Sequence, residues 1–488
     1  MKTVTFAAVD LGAESGRVMR VGFDGARFQL EAVHRFPNGP VRVGETLHWD
    51  APKLFAEIQK GLRLCARESG LAGIGVDTWG VDFGLLGERD ELLENPVHYR
   101  DRRTDGMMDE VFRVVPREEV FERTGIQFMQ LNTLYQMVSL LRRRPQFLAQ
   151  ARTLLTMPDL LNFWLTGRKV GEFTIATTTQ MYDQRAGDWA RPMLDRLGLP
   201  TRILPQIVKP GAILGPLLPL VAEETGIKGA PVIAPACHDT GSAVAAAPLS
   251  SPHSAYISSG TWSLAGVEVP APVITPMTYA GGFTNEGGVN GTVRLLRNIG
   301  GLWLLQECRR TWAEEGTEYS YDDLTRLAAA APALAAFVDP DDADFGPPGD
   351  MPARLRRYCA RTKQAAPESH AALARCILES LALRYRLTVE KLEAALGWKV
   401  DRIHIIGGGS KNALLCQMTA DVTGLPVLAG PVEATALGNA LIQAQATGHL
   451  ASVAEGREAV KRSFTPIAYD PHPSEAWEAA YQRFMRLV

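Results

Sequence analysis

Pro231-Val-Ile-Ala-Pro-Ala-Cys-His-Asp-Thr240 is an apolar run of buried-strand length that ends in a polar tetrad and opens into Gly241-Ser-Ala-Val-Ala-Ala-Ala247. A carboxylate at a strand end is where α/β proteins place catalytic groups: the strand fixes the residue while a glycine-bearing turn lets a ligand approach. Asp239 therefore reads as a general base. It reads equally well as the cap of a helix beginning near Gly241, a common task for Asp. The remainder of the chain decides between them.

Immediately downstream, Ser254-Ala-Tyr-Ile-Ser-Ser-Gly-Thr-Trp-Ser-Leu-Ala-Gly266 reads as a strand and hairpin whose Ser258, Ser259, Gly260 and Thr261 offer hydroxyls and N–H groups to a phosphate. The N-terminus has the same form. A strand over residues 3–10 is followed by the turn Leu11-Gly-Ala-Glu-Ser-Gly16, a strand over 17–23 and a third strand over 28–36. The turn presents backbone N–H groups as a phosphate cradle, with Asp10 at the strand exit placed to face phosphates through a hydrated Mg²⁺. An ordinary hairpin with Asp10 as a turn residue has the same sequence signature. No G-x-x-x-x-G-K-[ST] loop occurs.

Residues 53–68 carry apolar side chains at helical spacing and lead to a strand over 71–77, then Thr78-Trp-Gly-Val-Asp-Phe83. Trp79, Gly80 and Asp82 combine an aromatic face, open backbone and a carboxylate, the mixture a sugar site uses, and Trp79 is also an ordinary core residue at a strand end. His98-Tyr-Arg-Asp-Arg-Arg-Thr104 follows, either orienting sugar hydroxyls or forming a solvated ion-pair cluster. Residues 116–165 are mostly helical in pattern, and Ala176-Thr-Thr-Thr-Gln180 reads as a polar turn or pocket wall. Residues 332–352, with Asp339-Pro-Asp-Asp-Ala-Asp344, form the expected mobile surface excursion. The longest helical signal spans 367–396. A strand over 402–406 then meets Gly407-Gly-Gly-Ser-Lys-Asn412 and a helix, an arrangement in which backbone can lie against a planar or anionic ligand.

The chain has 488 residues, 46% hydrophobic and 22% charged, with 45 glycines, which describes a globular protein of about two to four domains. Its net charge of -3 and the lack of a long basic block point away from nucleic acid and anionic membranes, toward a small soluble partner. No signal peptide and no apolar run of roughly 18 residues is found, so a cytoplasmic location is expected. Six cysteines lie scattered without CxxC spacing, against zinc or a disulfide scaffold. Cys359 and Cys376 would meet if their helices pack, with reduced thiols the default.

Taken in order, Asp10-Leu-Gly12, His238-Asp239-Thr240, Ser259-Gly-Thr261 and Gly407-Gly-Gly409 resemble the FGGY carbohydrate kinases. Longer strings, Val76-Asp-Thr-Trp-Gly-Val-Asp-Phe83, Tyr99-Arg-Asp101 with Arg103-Thr104, Ser259-Gly-Thr-Trp-Ser-Leu264, Asn298-Ile-Gly-Gly-Leu-Trp-Leu-Leu-Gln306 and Ala429-Gly-Pro-Val-Glu-Ala434, are similar to those of members acting on L-rhamnulose. The resemblance spans essentially residues 5–445 and implies an α/β chain of two ribonuclease-H-like, actin/hexokinase-type domains, 1–248 on the sugar and phosphate side and 249–488 on the nucleotide side, with a ligand cleft between them. It implies phosphorylation of L-rhamnulose at O1 by ATP with Mg²⁺, in L-rhamnose catabolism, by a monomer or homodimer.

It also assigns residues. Asp239 would be the base, flanked at the sugar by His238 and Thr240, with Gly80 in the sugar pocket. Ala13, Glu14, Ser15, Gly16, Arg17 and Thr261 would contact phosphates, Asn298 and Gln306 would line the nucleotide site, and Gly408 would lie against adenosine. Trp79 and Asp82 are added at the sugar, and Asp10 at the metal, from the residues themselves. Glu14 departs from the family's usual Ser or Thr and would repel triphosphate unless Mg²⁺ or Arg17 compensates. Rival functions are another ketose kinase, acting on fuculose, xylulose or ribulose, and an actin- or chaperone-like ATPase switch.

Overall fold

The computed structural model describes residues 3–66 and 70–488. The chain forms two compact units, residues 1–248, 268–295 and 434–463 in the first and 249–267, 296–433 and 464–488 in the second. The division at 248/249 expected from the sequence is thus modified: two later segments return to the first unit.

The strand Val4–Leu11 lies at the heart of the first unit and is almost wholly buried, as expected of a strand covered on both faces. It pairs antiparallel with Ser15–Phe23, which pairs in turn with Phe28–Pro37. On its other side it runs parallel to Gly73–Thr78, with Asp10 opposite Asp77. Pro231–Ala234 runs parallel to Gly73–Thr78 in turn, and the edge strand Ala212–Pro216 completes six strands. Three parallel strands therefore end together, and an isolated bridge between Thr78 and His238 carries that alignment to the threshold of Asp239.

The apolar face of Ala51–Cys65 (Leu54, Ile58, Leu62, Cys65) packs with Val9, Val18 and Val76 from the sheet. The region read as mostly helical also contains the strand Thr153–Thr156, paired with Phe83–Leu86; at four residues it is too short to carry a readable period. The run Ala176-Thr-Thr-Thr-Gln180 divides: its first three residues end the helix Phe173–Thr178, and Thr179 and Gln180 form the turn that follows.

The second unit repeats the opening motif. Ser254–Ser259 pairs antiparallel with the strand beginning at Ser263 and parallel with Arg402–Ile406, which continues to Val427–Ala429 and Ile467–Tyr469. The 27-residue helix His370–Leu396 begins at Ser369, whose hydroxyl accepts the Ala372 N–H, and stops at Gly397.

Within residues 332–352, expected as a mobile excursion, the stretch 336–341 is packed into the second unit. Phe337 and Val338 are fully buried, their amides donate to Gln364 Oε1 and Ser380 Oγ, and Asp341 bonds Arg297 and Arg384. The acidic run is held by cations from elsewhere in the unit, which its local composition cannot reveal. All six cysteines are buried free thiols, Cys359 and Cys376 being hydrogen-bonded neighbours. Among the described residues no helix is long and apolar enough to cross a membrane.

Candidate active site

The parallel strand ends of the first unit deliver Asp10, Asp77 and, after the turn, Asp239. Asp10 is 2% exposed, and Arg17, its cross-strand partner, reaches it through Nε at 2.8 Å and Nη2 at 2.6 Å. Asp77 is fully buried: Oδ2 accepts from Asn439 Nδ2 at 2.6 Å, whereas Oδ1 has no hydrogen-bond partner among the described residues. Burial, then the neighbouring Asp10 and Asp239 charges, push its carboxyl well above the usual range.

Asp239 is the first residue of the helix Asp239–Ala246, whose N-cap is His238. The helix-cap reading is therefore displaced by one position. Its Oδ1 accepts the Thr240 N–H at 2.5 Å and the Thr240 hydroxyl at 3.2 Å. The Asp239 side chain remains 29% exposed, so a hydroxyl substrate can reach it, while Thr240 is buried.

The His238 ring is held by two buried charges. Nε2 lies 3.4 Å from Asp239 Oδ1, and Nδ1 lies 3.1 Å from Arg294 Nη2 and 3.2 Å from Glu286 Oε2. Arg294 is itself fully buried, paired with Glu286 at 3.2 Å and donating from Nε to the Gly287 carbonyl at 2.8 Å. Because arginine only donates, the Arg294 contact makes Nδ1 an acceptor and leaves the ring proton on Nε2, toward Asp239.

Gly80 is closely packed. A Cβ there would lie 3.2 Å from Thr178 Oγ1 and 3.4 Å from His238 Nε2. Next to it Val81 has φ 67°, a left-handed conformation that is strained for a β-branched residue and persists only where its surroundings over-determine it. Thr133 Oγ1 donates to its carbonyl at 2.5 Å, and its N–H donates to Thr178 Oγ1 at 3.3 Å.

Asp82, expected at the sugar, is sealed in the interior of the first unit. It is 1% exposed and accepts from Trp49 Nε1 (2.6 Å), Trp79 Nε1 (3.0 Å), Gln136 Nε2 (3.0 Å) and the Tyr99 amide (3.2 Å). No acceptor capacity is left for a ligand. Trp79 is likewise spent on Asp82, its ring tilted against that of Trp49 with centroids 4.0 Å apart, a core role. His98 and Tyr99 join the same aromatic cluster, which makes that motif structural around its first residues.

Burial raises the Asp82 carboxyl to about 6, against the lowering effect of the Trp49, Gln136 and Trp79 bonds. A carboxyl raised on folding binds its proton more tightly in the native state, so its stabilising contribution is complete below about pH 4 and is lost as pH climbs through 6. Unfolding free energy should fall from pH 4 to pH 7, on the order of 2 kcal/mol of the change belonging to Asp82. Denaturant melts across that range should show a shallower fall for Asp82→Asn; parallel curves would refute the assignment.

In the turn after Val4–Leu11, Gly12 N–H donates to the Ser15 carbonyl, and Asn38 ties the turn back through its side chain to Gly12 O and its amide to Glu14 O. Glu14 and Ser15 are exposed at the tip with Ala13 half-buried. Gly16 is different: it is buried, and a Cβ would lie 2.3 Å from the Phe36 ring, so the glycine serves packing. Arg17 pairs with Asp10.

The second unit holds the other assigned residues. Thr261 is half-buried, and its hairpin is fixed by the Leu302 amide on Gly260 O and the Trp303 amide on Thr261 O. Asn298 lies near the end of the strand Val293–Ile299. Gln306 Oε1 is buried without a hydrogen-bond partner among the described residues, an acceptor open to a ligand donor. At the glycine run, Gly409 presses against Ser259 so closely that a Cβ would fall 2.0 Å from its Oγ, whereas Gly408 is exposed with open space beside it. Asp341 accepts the Gly300 amide at 2.9 Å, so the acidic run read as mobile in fact braces the glycine pair before the helix Trp303–Glu314.

Residues that sequence reasoning missed are Asp77, Glu286 and Arg294. Asp77 had a signal, because the strand ending Val76-Asp-Thr78 parallels Val9-Asp-Leu11. Glu286 and Arg294 had none, since only the fold brings them to His238.

Residues 6–246 and 255–447 match the models of the N-terminal and C-terminal domains of the FGGY family of carbohydrate kinases. The chain is 46% identical over 484 residues to a rhamnulokinase of Bacteroides thetaiotaomicron, covering 99% of each chain. It is 41% identical to one of Oceanobacillus iheyensis, covering 95% of this chain and 97% of the relative. Among solved structures it resembles a gluconate kinase from Lactobacillus acidophilus, with TM-score 0.81, 17% identity and 100% and 97% coverage of the two chains. A xylulose kinase from Rhodospirillum rubrum gives TM-score 0.79 at 20% identity, with 100% and 98% coverage. At these identities the structures speak for the two-domain α/β fold alone.

Proposed function

Because the chain belongs to the FGGY family of carbohydrate kinases, we propose that it transfers the γ-phosphoryl group of ATP to O1 of L-rhamnulose, giving L-rhamnulose 1-phosphate and ADP, in L-rhamnose catabolism. The carrying observation is a solvent-reachable Asp239 beside an oriented His238, in a chain 46% identical over nearly its whole length to a rhamnulokinase.

Phosphoryl transfer needs positioning and charge neutralisation more than covalent help. Asp239 takes the O1 proton as the O1–P bond forms and the bond from the γ-phosphorus to ADP breaks. His238, Thr240 and the Gly80 backbone orient the ketose. The loop Ala13–Ser15 and the Thr261 hairpin supply phosphate contacts, with Asn298, Gln306 and Gly408 toward the nucleotide. Asp77, whose Oδ1 is a buried carboxylate oxygen without a hydrogen-bond partner among the described residues, and Asp10 beside it in register fit the one or two carboxylates that Mg²⁺ uses with phosphates and waters. That ion would offset charge on the triphosphate.

The test is ADP release from Mg-ATP with L-rhamnulose, L-fuculose, L-ribulose, D-xylulose, glycerol or no sugar. Strong release is expected with L-rhamnulose. Preference for another ketose would move the substrate assignment, and equal slow release in every case would replace the kinase with an ATPase switch.

A further inference from the structure

The threonine-rich helix Phe173–Thr178 takes no part in the chemistry above, yet it bonds three of the segments that do. Thr174 Oγ1 accepts the His238 N–H at 3.1 Å, Thr177 Oγ1 accepts the Gly287 N–H at 2.8 Å, and Thr178 Oγ1 accepts the Val81 N–H at 3.3 Å. Each hydroxyl also has its own proton placed. Thr177 donates to the Thr174 carbonyl at 2.9 Å, Thr178 to the Ile175 carbonyl at 2.8 Å, and Thr174 to Glu172 Oε2 at 2.6 Å. That same Glu172 oxygen accepts the Cys237 N–H at 3.1 Å. Two successive amides before Asp239 are therefore held by one Glu–Thr pair. Behind it, Glu172 N–H donates to Asp159 Oδ1 at 3.1 Å, and Thr156 Oγ1 donates to Asp159 Oδ2 at 2.5 Å. Thr174, Thr177, Glu172 and Asp159 are all fully or almost fully buried.

Ordinary packing does not require this pattern. Buried hydroxyls in a helix commonly return their proton to the preceding turn, but here every lone pair on the outer side receives an amide from a different wall of the site. One wall is the strained Val81 next to Gly80, another is the His238–Asp239 step, and the third is the Glu286–Gly287 segment that faces His238.

We propose that Phe173–Thr178 is a positioning element for the phosphoryl-transfer reaction, with Thr174, backed by Glu172, setting Asp239 for proton abstraction and Thr178 setting the Gly80 wall against the sugar. The proposal rests on the kinase reading. Thr174 acts through the backbone of His238 and touches no substrate.

Thr174→Val keeps the shape and removes the hydroxyl; Thr174→Ser keeps the hydroxyl. With the ketose that the wild type turns over best, Thr174→Val should lower kcat by roughly 10- to 100-fold with both KM values within about twofold, the sensitivity expected of a small misplacement at a reacting centre. Thr174→Ser should recover kcat to within about threefold. Thr178→Val should act mainly on the ketose KM. In an Asp239→Asn background, Thr174→Val should cost nothing further, because residues that act as a unit are not additive. An undiminished kcat loss in that background, or wild-type kcat in Thr174→Val, overturns the proposal while the kinase reading stands. Wild-type inactivity toward every ketose overturns both. If Thr174→Val does not fold, Thr174→Ala is measured in its place and Thr178→Val carries the KM arm on its own, with an unchanged ketose KM as the overturning result.

Discussion

Asp239→Asn should fold as the wild type does and lose roughly 10²- to 10⁴-fold in kcat, the range for removal of a general base. The fold should survive because Asn keeps the carbonyl oxygen that accepts the Thr240 amide and hydroxyl, and because the side chain is partly exposed and is not a buried charge that others depend on. The loss should be in kcat, since the proton moves only as the O1–P bond forms. An amide cannot take that proton. It can still hydrogen-bond the sugar, so the ketose KM should stay within a few-fold. Steady-state kinetics with Mg-ATP and L-rhamnulose, alongside a thermal melt, separate the effects. Near-wild-type turnover would remove Asp239 from the chemistry and leave it as the opening residue of a helix, while a collapsed melt would make it structural.

A one-atom change in charge is enough here because the local field is crowded. Asp10, Asp77 and Asp239 come to the ends of three neighbouring strand segments, and both Asp10 and Asp239 push the Asp77 carboxyl upward. Arg17 is the cation among them, bonded to Asp10. The arrangement keeps one carboxylate accessible and two buried, a division set by strand register and not by the identity of the residues.

The parts of the fold that could be read in advance were those whose information is local. The strand, Gly-bearing turn and strand from residue 4 to residue 23, the long helix stopped by Gly397, and the apolar strand leading to Asp239 each carry their own signal within a few residues. Asp239, His238 and Gly80 stand out in the sequence because strand ends and glycine turns mark where ligands can approach. What failed was non-local. Asp82 resembles a ligand carboxylate in sequence, and only the presence of Trp49, Trp79, Gln136 and the Tyr99 amide around it shows that its acceptor capacity is consumed. The acidic run 339–344 resembles a solvated loop until Arg297 and Arg384 are seen beside Asp341. Glu286 and Arg294 reach His238 from about fifty residues downstream, beyond the reach of any periodicity.

The same limit explains the helix Ala434–Ala446, almost two hundred residues beyond Asp239 and yet part of the unit that holds it. Its Asn439 donates to Asp77 and its Gln443 donates to the Ala7 carbonyl. Space for these two side chains comes from Gly73 and Gly75 on the neighbouring strand, where a Cβ would lie 2.7 Å from Gln443 Oε1 and 2.3 Å from Asn439 Oδ1.

Gly438→Ala should be among the most damaging single substitutions in the chain, although it adds one methyl group. A Cβ at Gly438 would fall 1.8 Å from the Ser242 carbonyl oxygen, 2.7 Å from the Ser242 carbonyl carbon and 3.2 Å from the Ala246 nitrogen. These are backbone atoms of the helix Asp239–Ala246, so no rotamer change relieves the clash. One helix must move. The far end of Asp239–Ala246 cannot yield freely, because Arg457 Nη2 donates to the Val244 carbonyl at 2.9 Å and Nε to that of Ala245 at 3.3 Å. At its near end Ser242 Oγ donates to the Ala236 carbonyl at 2.7 Å. Displacement is therefore passed to the first residue, Asp239. Overpacking a close-packed interior costs about 1–3 kcal/mol and sometimes more, and a contact made with backbone on both sides belongs at or above the top of that range. Soluble Gly438→Ala should melt several degrees below the wild type and lose at least tenfold in kcat. Gly87→Ala is the control: its Cβ would meet only the ends of two side chains, Glu91 Oε1 at 2.6 Å and Leu93 Cδ2 at 2.9 Å, which can shift where backbone cannot, and melting temperature and kcat should change far less than in Gly438→Ala. Wild-type stability and turnover in Gly438→Ala would mean that the two helices can separate without cost to the site, and that the position of Asp239 does not depend on their close approach.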